Sequence, residues 1–327
     1  MIYRVFALYA AAIAVGLSAG CSSTANVVPS PTATPIVTSL VYVANRAGQV
    51  LGFKNAAGNN APIINISGGN TQIADPVGFT LDASGNIYVE NDGGQVILIF
   101  PHGANGNVAP TVLGGSNSGI GPSEGVALDH NGLIYTSAYT TNNAFNSQLN
   151  VAVFAAGSTG NVAPLRRIAG NLTLLTDPSG MAFDASNDLW LGNYGGGLLE
   201  FAAGANGNTA PIASVSGSNT KFSNPFSVAI DSNNRVIVAD YDGTAIVIFA
   251  PNPTGNATPV AVIQGSNTEL QSIGSLGIDA LNNIYVTDFS TNSISVFAST
   301  ANGNVGPISV IGGSNTLLND AWFPRVY

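Results

Sequence analysis

The segment Gly207-Asn208-Thr209-Ala210-Pro211 is one copy of a pattern that returns at regular intervals along the chain. The pattern Gly-Asn-x-x-Pro begins at Gly58, Gly106, Gly160, Gly207, Gly255 and Gly303. A second pattern, Gly-(Ser)-Asn-Thr or a close variant, places Asn at 70, 117, 171, 219, 267 and 315. Both markers share a period of about 48 residues, and both lengthen to 54 in the same unit, near residues 139–149. A fixed period of this size indicates a repeat architecture, so the sequence predicts one unit repeated six times, with a loop insertion in one copy.

Each unit is predicted to form four short β-strands. In the fifth unit these are residues 226–230, 235–239, 245–249 and 260–264. The first two are joined by Asp231-Ser232-Asn233-Asn234, and other units carry similar Asp, Asn and Gly residues there. Such side chains bond nearby backbone and Gly or Asn accepts a positive φ, which predicts tight hairpin turns. The proline of Gly-Asn-x-x-Pro cannot donate to a strand ladder, so the fourth strand is expected at the outer edge of each sheet.

Four-stranded units of this length predict an all-β fold, a six-bladed β-propeller of antiparallel blades that spans residues 38–327. The first unit opens at Leu40–Asn45, which matches the second strand of later units such as Asn283–Asp288. Its missing first strand can come only from residues 321–327. We therefore expect the C-terminal strand to pair into blade one and close the ring, since closure removes exposed sheet edges.

The composition narrows the class of protein. The 327 residues are only 8% charged, include 39 Gly and carry a formal net charge of −9. An acidic chain of this kind lacks the basic surface of a nucleic-acid binder. Its single Cys cannot form an internal disulfide. Low charge with abundant small polar residues is typical of a protein that has many turns.

The N-terminal residues predict export and a tether. Arg4 precedes an apolar run over residues 6–17, and a small-residue site follows, so residues 1–20 are expected to be a signal peptide. The segment from Leu17 to Cys21 resembles a bacterial lipobox, which implies that Cys21 is lipidated and becomes the mature N-terminus. Residues 21–37 are rich in Ser, Thr and Pro and predict a flexible tether. The expected location is the bacterial cell envelope, held to the membrane by the lipid alone, and Ser22 after the Cys suits the outer membrane.

The repeat resembles NHL-type propeller repeats. The motifs that carry the resemblance are Pro178–Asp184, Asn283–Asp288 and Ile294–Phe297. The likeness covers residues 38–327. Six-bladed propellers similar to these include gluconolactonase/regucalcin-like enzymes and several lyases, so the resemblance implies the fold and allows a metal-dependent activity at the mouth of the central channel.

The candidate ligand-binding residues lie where the second strand of each blade ends. Alignment of the repeats gives one residue per blade, namely Asn45, Asn91, Ala138, Asn193, Asp240 and Asp288. The residues that follow are Arg46, Asp92, Tyr139, Tyr194, Tyr241 and Phe289, and Glu90 lies one residue before the ring. Converging oxygen atoms could hold Ca²⁺, and Tyr194 and Tyr241 could stack on a sugar or another flat ligand. The alternative is that Asn and Asp cap the turns, because they recur in most blades.

Two functions follow as hypotheses. The first is a non-catalytic binding or scaffold module, expected as a monomer without a cofactor, whose partner is an envelope protein or glycan. Its basis is the regular blades and the absence of a Ser-His-Asp arrangement, since the two His residues, His102 and His130, lie in turns. The alternative is a Ca-type metal-dependent hydrolase or lactonase, with Asn193, Asp240, Asp288 and Glu90 at the channel mouth.

Overall fold

The protein is a six-bladed β-propeller. The computed structural model describes residues 40–54, 57–138 and 149–327. These residues form six four-stranded antiparallel sheets, which confirms the predicted fold class. Residues 1–37, including Cys21, lie outside the described residues, so the signal peptide, the tether and the lipidation remain predictions. No helix in the described part of the chain has the length and apolar character needed to cross a membrane.

The strands follow the repeat. Blades one and two contain β1 (Leu40–Asn45), β2 (Gln49–Lys54), β3 (Ile64–Ile66), β4 (Pro76–Leu81), β5 (Ile87–Asn91), β6 (Val96–Phe100) and β7 (Thr111–Leu113). Blades three and four contain β8 (Val126–Leu128), β9 (Ile134–Ala138), β10 (Asn150–Phe154), β11 (Arg166–Ala169), β12 (Pro178–Phe183), β13 (Leu189–Asn193), β14 (Gly197–Phe201) and β15 (Ala213–Val215). Blades five and six contain β16 (Pro225–Ile230), β17 (Val236–Asp240), β18 (Ala245–Phe249), β19 (Ala261–Ile263), β20 (Ile273–Ile278), β21 (Ile284–Asp288), β22 (Ser293–Phe297) and β23 (Ser309–Gly312), and β24 (Ala321–Val326) follows. Single turns of 3-10 helix lie at Gly69–Thr71, Asp92–Gly94, Asn171–Thr173 and Ser266–Thr268.

The C-terminal strand closes the ring. Blade one has the strand order β24-β1-β2-β3. Asn45 pairs with Ala321, and Tyr42 pairs with Arg325. Leu40 and Tyr327 exchange two backbone hydrogen bonds of 3.0 Å. The predicted closure is therefore confirmed, and the innermost strand of blade one comes from the opposite end of the chain.

The two repeat markers bind each other across neighbouring blades. Asn256 of Gly-Asn-x-x-Pro accepts a 2.8 Å hydrogen bond from the backbone N–H of Asn219 in the second marker of the preceding blade. The same bond joins Asn107 to Asn70, Asn161 to Asn117, Asn208 to Leu172, Asn304 to Asn267 and Asn59 to Asn315. One correction to the alignment follows, because Leu172 and not Asn171 is the equivalent residue in blade three. The shared period of the markers therefore reflects one inter-blade contact made six times.

The core lies between the faces of adjacent blades. The third strand of every blade carries, at its last or next-to-last position, a Phe that is at most 2% exposed. These are Phe53, Phe100, Phe154, Phe201, Phe249 and Phe297. Each sheet is covered on both faces by its neighbours, so most strand residues are buried and buried and exposed residues do not alternate along the strands.

The Asp-initiated turns between the first two strands have the predicted form. In blade five the Asp231 carboxylate accepts N–H bonds from Asn233 and Arg235, at 2.9 and 2.8 Å. Asn234 has a φ of 60°, in the left-handed region. A short polar side chain at each of these positions satisfies the backbone groups that a tight turn leaves open.

Candidate functional site

The innermost strands define two mouths of the central channel. These strands are β4, β8, β12, β16, β20 and β24, one for each sheet. They all run in the same direction because every blade has the same strand order. We call the end where they begin the upper mouth and the end where they finish the lower mouth. The second strands end at the upper mouth, so the predicted ligand-binding residues belong to that end.

The predicted ring of Asn and Asp residues is buried and bonded to backbone. These five side chains are at most 2% exposed. Each accepts hydrogen bonds from N–H groups in the segment that leads into the innermost strand of its own blade. The shortest of these bonds are Asn319 to Asn45 (2.7 Å), Ala74 to Asn91 (2.6 Å), Thr176 to Asn193 (2.8 Å), Asn224 to Asp240 (2.6 Å) and Gln271 to Asp288 (2.6 Å). The geometry is that of turn capping, so the ring residues order the loops that face the upper mouth.

An aromatic surface lies at the upper mouth beside this ring. The rings of Tyr241, Phe289 and Trp322 are nearly parallel, with interplanar angles of 8° to 22° and centroids 5.7 to 6.4 Å apart. Phe226 lies 5.2 Å from Trp322, and Tyr194 lies 6.3 Å from Tyr241. We call these five residues the aromatic floor. Phe226 and Trp322 are each 7% exposed, whereas Tyr194, Tyr241 and Phe289 are partly exposed, and a flat or cationic group can stack on an exposed aromatic face.

The sequence predicted part of the aromatic floor. It identified Tyr194, Tyr241 and Phe289, and it missed Phe226 and Trp322. The missed residues share one position in the aligned repeats, at or just before the start of the innermost strand, where the six blades carry Val77, Glu124, Ser179, Phe226, Gly274 and Trp322. The residue type at this position varies between the six repeats, whereas neighbouring positions vary little. That variation could have identified Phe226 and Trp322 as candidate site residues.

A cavity of about 230 Å³ opens above the floor. Its lining residues are Arg46, Glu124, Asp177, Tyr194, Phe226, Tyr241 and Trp322. Of the predicted site residues, Tyr194 and Tyr241 line this cavity directly. The ring of Asn and Asp residues does not line the cavity; its side chains bond to the backbone of the loops at the upper mouth. Tyr139 of blade three lies outside the described residues.

The charged wall of the cavity is acidic. Burial, together with the negative charges of Asp177 and Asp92 and against the opposing charge of Arg46, raises the pKa of Glu124 to about 7. Asp177 has one carboxylate oxygen, Oδ1, that is buried without a hydrogen-bond partner. Burial raises the pKa of Asp177 as well. Arg46 donates two hydrogen bonds, of 2.6 and 2.9 Å, to the Asp75 carboxylate, so its charge is already paired and leaves the wall with an excess of carboxylates.

Glu90 lies in a closed polar pocket between blades two and three. It is 0% exposed. Its Oε2 accepts a 3.0 Å hydrogen bond from the Thr136 hydroxyl, whereas Oε1 has no partner. Burial raises the pKa of Glu90 to about 8, against the opposing effect of hydrogen bonds from Ser123 and Thr136. At neutral pH the buried side chain is therefore mainly protonated and uncharged.

The side chains that the metal hypothesis names as ligands bond to different parts of the protein. Asn193, Asp240 and Asp288 each bond to the backbone of their own blade. Burial raises the pKa of Asp240, and backbone N–H groups of Asn224 and Ser223 oppose that rise. Within the described ranges, the one group of three carboxylates whose oxygens lie within 4.8 Å is Asp184, Asp188 and Glu200, which contains no predicted ligand. Calcium binding at the upper mouth therefore stays a prediction.

Comparison with known proteins supports the fold. No family model matches the chain, and no curated protein matches it in sequence. A chain in the crystal structure of a nidogen/laminin complex is similar at 15% identity and a TM-score of 0.62, covering 88% of this chain and 98% of that one. A protein of unknown function from Bacteroides caccae is similar at 9% identity and a TM-score of 0.62, covering 89% and 99%. The WD40 β-propeller domain of Doa1 is similar at 12% identity and a TM-score of 0.50, covering 76% and 86%. Likeness at this level of identity establishes that the chain has a β-propeller fold.

Proposed function

We propose that the protein is an exported, membrane-tethered β-propeller that acts as a non-catalytic binding module of the bacterial cell envelope. Its ligand, carried by an envelope protein or glycan, rests on the aromatic floor of the upper mouth. The observation that carries this proposal is the cavity of about 230 Å³ bounded by Tyr194, Phe226, Tyr241 and Trp322. Aromatic residues with few convergent polar groups are typical of ligand sites.

The charges around the floor favour a ligand that carries positive charge. Glu124 and Asp177 line the cavity, and the Arg46 charge is paired with Asp75 at 2.6 Å. A cation placed over an aromatic face is attracted by the ring quadrupole, and here nearby carboxylates add to that attraction. A protein partner is supported by one structural neighbour, which was crystallised in a nidogen/laminin complex.

The chain offers a direct reporter of binding. It contains two Trp residues. Trp190 is 1% exposed in the core, and Trp322 belongs to the floor. A Trp190→Phe variant would therefore emit from Trp322 alone. We expect its fluorescence to change on titration with chitohexaose, and at lower concentration with the fully deacetylated, cationic form of the same oligosaccharide.

A matched pair of variants places the response at the floor. In the Trp190→Phe background, Tyr241→Ala should abolish the response, because Tyr241 contacts the four other floor rings. Tyr327→Ala removes a 49% exposed Tyr outside the floor and should leave the response unchanged. The proposal fails if neither oligosaccharide changes the emission and a wild-type bait enriches no partner from envelope extract relative to a Tyr241→Ala bait.

The tether has its own test. Cys21→Ser should shift the protein from the membrane fraction to the soluble envelope fraction, because a lipid on Cys21 is the proposed attachment. Export with an unchanged membrane fraction would contradict lipid anchoring and would leave the binding proposal standing.

A further inference from the structure

A second cavity, of about 220 Å³, lies at the lower mouth, at the opposite end of the channel from the aromatic floor. All six innermost strands line it near their C-terminal ends. Apolar side chains such as Leu128, Phe183 and Ile278 form much of the wall. Only Arg325 and His130 among the lining residues can carry a charge, and both would be positive.

Arg325 occupies a position where the other blades have small residues. Equivalent positions, aligned by the pairing of the strands, hold Thr80, Ala127, Ala182, Ala229, Gly277 and Arg325. All six line the cavity. Five small residues leave space around the axis, and one long cationic side chain from β24 enters that space. This break in the repeat is what a site requires, since a purely structural position would be filled in the same way by every blade.

The guanidinium of Arg325 is only half satisfied. Its Nη1 donates to the carbonyl oxygens of Leu276 and Pro324, at 3.2 and 3.1 Å. Nε and Nη2 have no partner among the described residues, and neither atom is sealed from solvent. The same Nε/Nη2 edge of Arg46 binds the Asp75 carboxylate, at 2.6 and 2.9 Å. Arg325 thus presents an open edge of the shape that binds a carboxylate with two parallel hydrogen bonds.

No carboxylate in the described part of the chain forms an ion pair with this guanidinium. Within the described ranges, Arg325 forms no salt bridge, whereas Arg46 and Arg235 do. Burial lowers the pKa of Arg325 to about 10, with no contribution from a neighbouring acid. The group therefore remains charged at neutral pH. A partly buried cation with an open donor edge, in a protein of net charge −9, is suited to an anion from outside.

The two mouths are separated by the ring of Phe323. At the position of Phe323 in the aligned repeats, two residues before that of Arg325, the other blades carry Gly78, Gly125, Gly180, Ser227 and Ser275. Phe323 is 2% exposed. Its ring lies 6.3 Å from Phe226 and 5.8 Å from the Arg325 guanidinium. A ligand at Arg325 is therefore shielded from the carboxylates of the upper mouth.

From this arrangement we infer that the lower mouth is a binding site for a small monocarboxylate with an apolar body. The carboxylate binds the Nε/Nη2 edge of Arg325, and the apolar body contacts Leu128, Phe183 and Ile278. The cavity is smaller than the usual volume for drug-sized ligands, so the ligand is a small acid. This site is independent of the proposed function of the upper mouth.

The test compares benzoate with its neutral isostere benzamide, at constant ionic strength. At about ten times its dissociation constant, benzoate should raise the melting temperature of the wild-type protein by about 2 °C, and benzamide should not. Arg325→Gln should abolish the shift. Arg46→Gln removes the same charge from the upper mouth and should retain the full shift.

Two further measurements keep the inference testable if Arg325→Gln does not fold. Arg325→Lys keeps the charge and loses the planar fork, so the benzoate affinity should fall several-fold. A crystal soaked with 4-bromobenzoate should show anomalous bromine density in the lower cavity. The inference is overturned if wild type does not respond to benzoate, if benzamide acts equally, if the Arg325 variants respond like wild type, or if bromine occupies only other places.

Discussion

Phe323 offers the sharpest test of the channel, because its buried side chain stabilises the fold whereas its left-handed backbone conformation destabilises it. The ring is 2% exposed and extends across the channel to the opposite blade, where a Cβ atom added at Gly180 would lie 3.2 Å from it. Its φ of 48° lies in the left-handed region, where a bulky residue is uncommon. The backbone N–H of Phe323 also donates to the Ser275 hydroxyl, which fixes this conformation against the neighbouring innermost strand.

Replacement of Phe323 by Ala should lower the free energy of unfolding by about 3–5 kcal/mol, the usual cost of emptying a buried Phe site. Ala retains the Cβ atom and therefore the left-handed strain, which costs about 1–2 kcal/mol for a non-glycine residue. Gly avoids that strain but is less stable than Ala by about 0.5–1 kcal/mol in an ordinary strand. The difference predicts that Phe323→Gly is more stable than Phe323→Ala by up to about 1.5 kcal/mol, the reverse of the usual order.

The assay is urea denaturation of both variants, followed by circular dichroism and by Trp fluorescence. The denaturant slopes should match wild type, so that the midpoints report stability. An Ala variant that is more stable than the Gly variant would refute the role of backbone strain. Either variant with wild-type stability would refute the conclusion that the Phe323 ring fills the channel.

The remaining predictions address the pH response, the closure, the inter-blade contact and the metal hypothesis. Because burial raises the pKa of Glu90 from 4.5 to about 8, its contribution to stability is present in full below about pH 4.5 and is lost as the pH rises through 8; Glu90→Gln should therefore gain roughly 4 kcal/mol over wild type between pH 5 and pH 9, measured by urea denaturation, and a pH-independent difference would contradict the assignment. Deletion of residues 321–327 should lower the melting temperature sharply, since blade one loses its innermost strand; an unchanged melt would exclude the closure. Gly217→Ala should cost about 2 kcal/mol or more, because φ is 121° and the added Cβ would lie 2.6 Å from the Asn256 side chain; Gly207→Ala, with a φ of 67° and no atom within 4 Å, should cost less, and equal losses would argue against the contact. If the hydrolase hypothesis holds, Ca²⁺, Zn²⁺ or Mn²⁺ raises the melting temperature and Asp240→Asn removes the shift; calorimetry without any metal response would leave only the binding function.

The sequence predicted the architecture because the signals that specify it are local. The residues of turns such as Asp231–Asn234, and the proline of each Gly-Asn-x-x-Pro segment, restrict the local conformation directly. Their period of about 48 residues gave the number of blades. The offset of Leu40–Asn45 within the repeat then required the C-terminal strand, and β24 occupies that place.

The sequence alone left the role of the repeated Asn and Asp residues open. Turn capping and ligand binding both require oxygen atoms at a strand end, so residue type does not distinguish them. The structure shows where those atoms point. Asp240, for example, accepts a 2.6 Å bond from the backbone N–H of Asn224 in its own blade.

The composition of the two mouths was decided only by the tertiary structure. Phe226 and Trp322 belong to different blades, and their aromatic side chains come into contact because β24 closes the propeller. The strand that closes it, β24, supplies Trp322, Phe323 and Arg325 at three levels where other blades carry smaller residues at most positions. The repeat can be recognised in the sequence because each unit needs the same residue types to form its turns and pair its strands. A site arises where one blade departs from the others, and its meaning depends on which side chains the closed ring brings to the same axis.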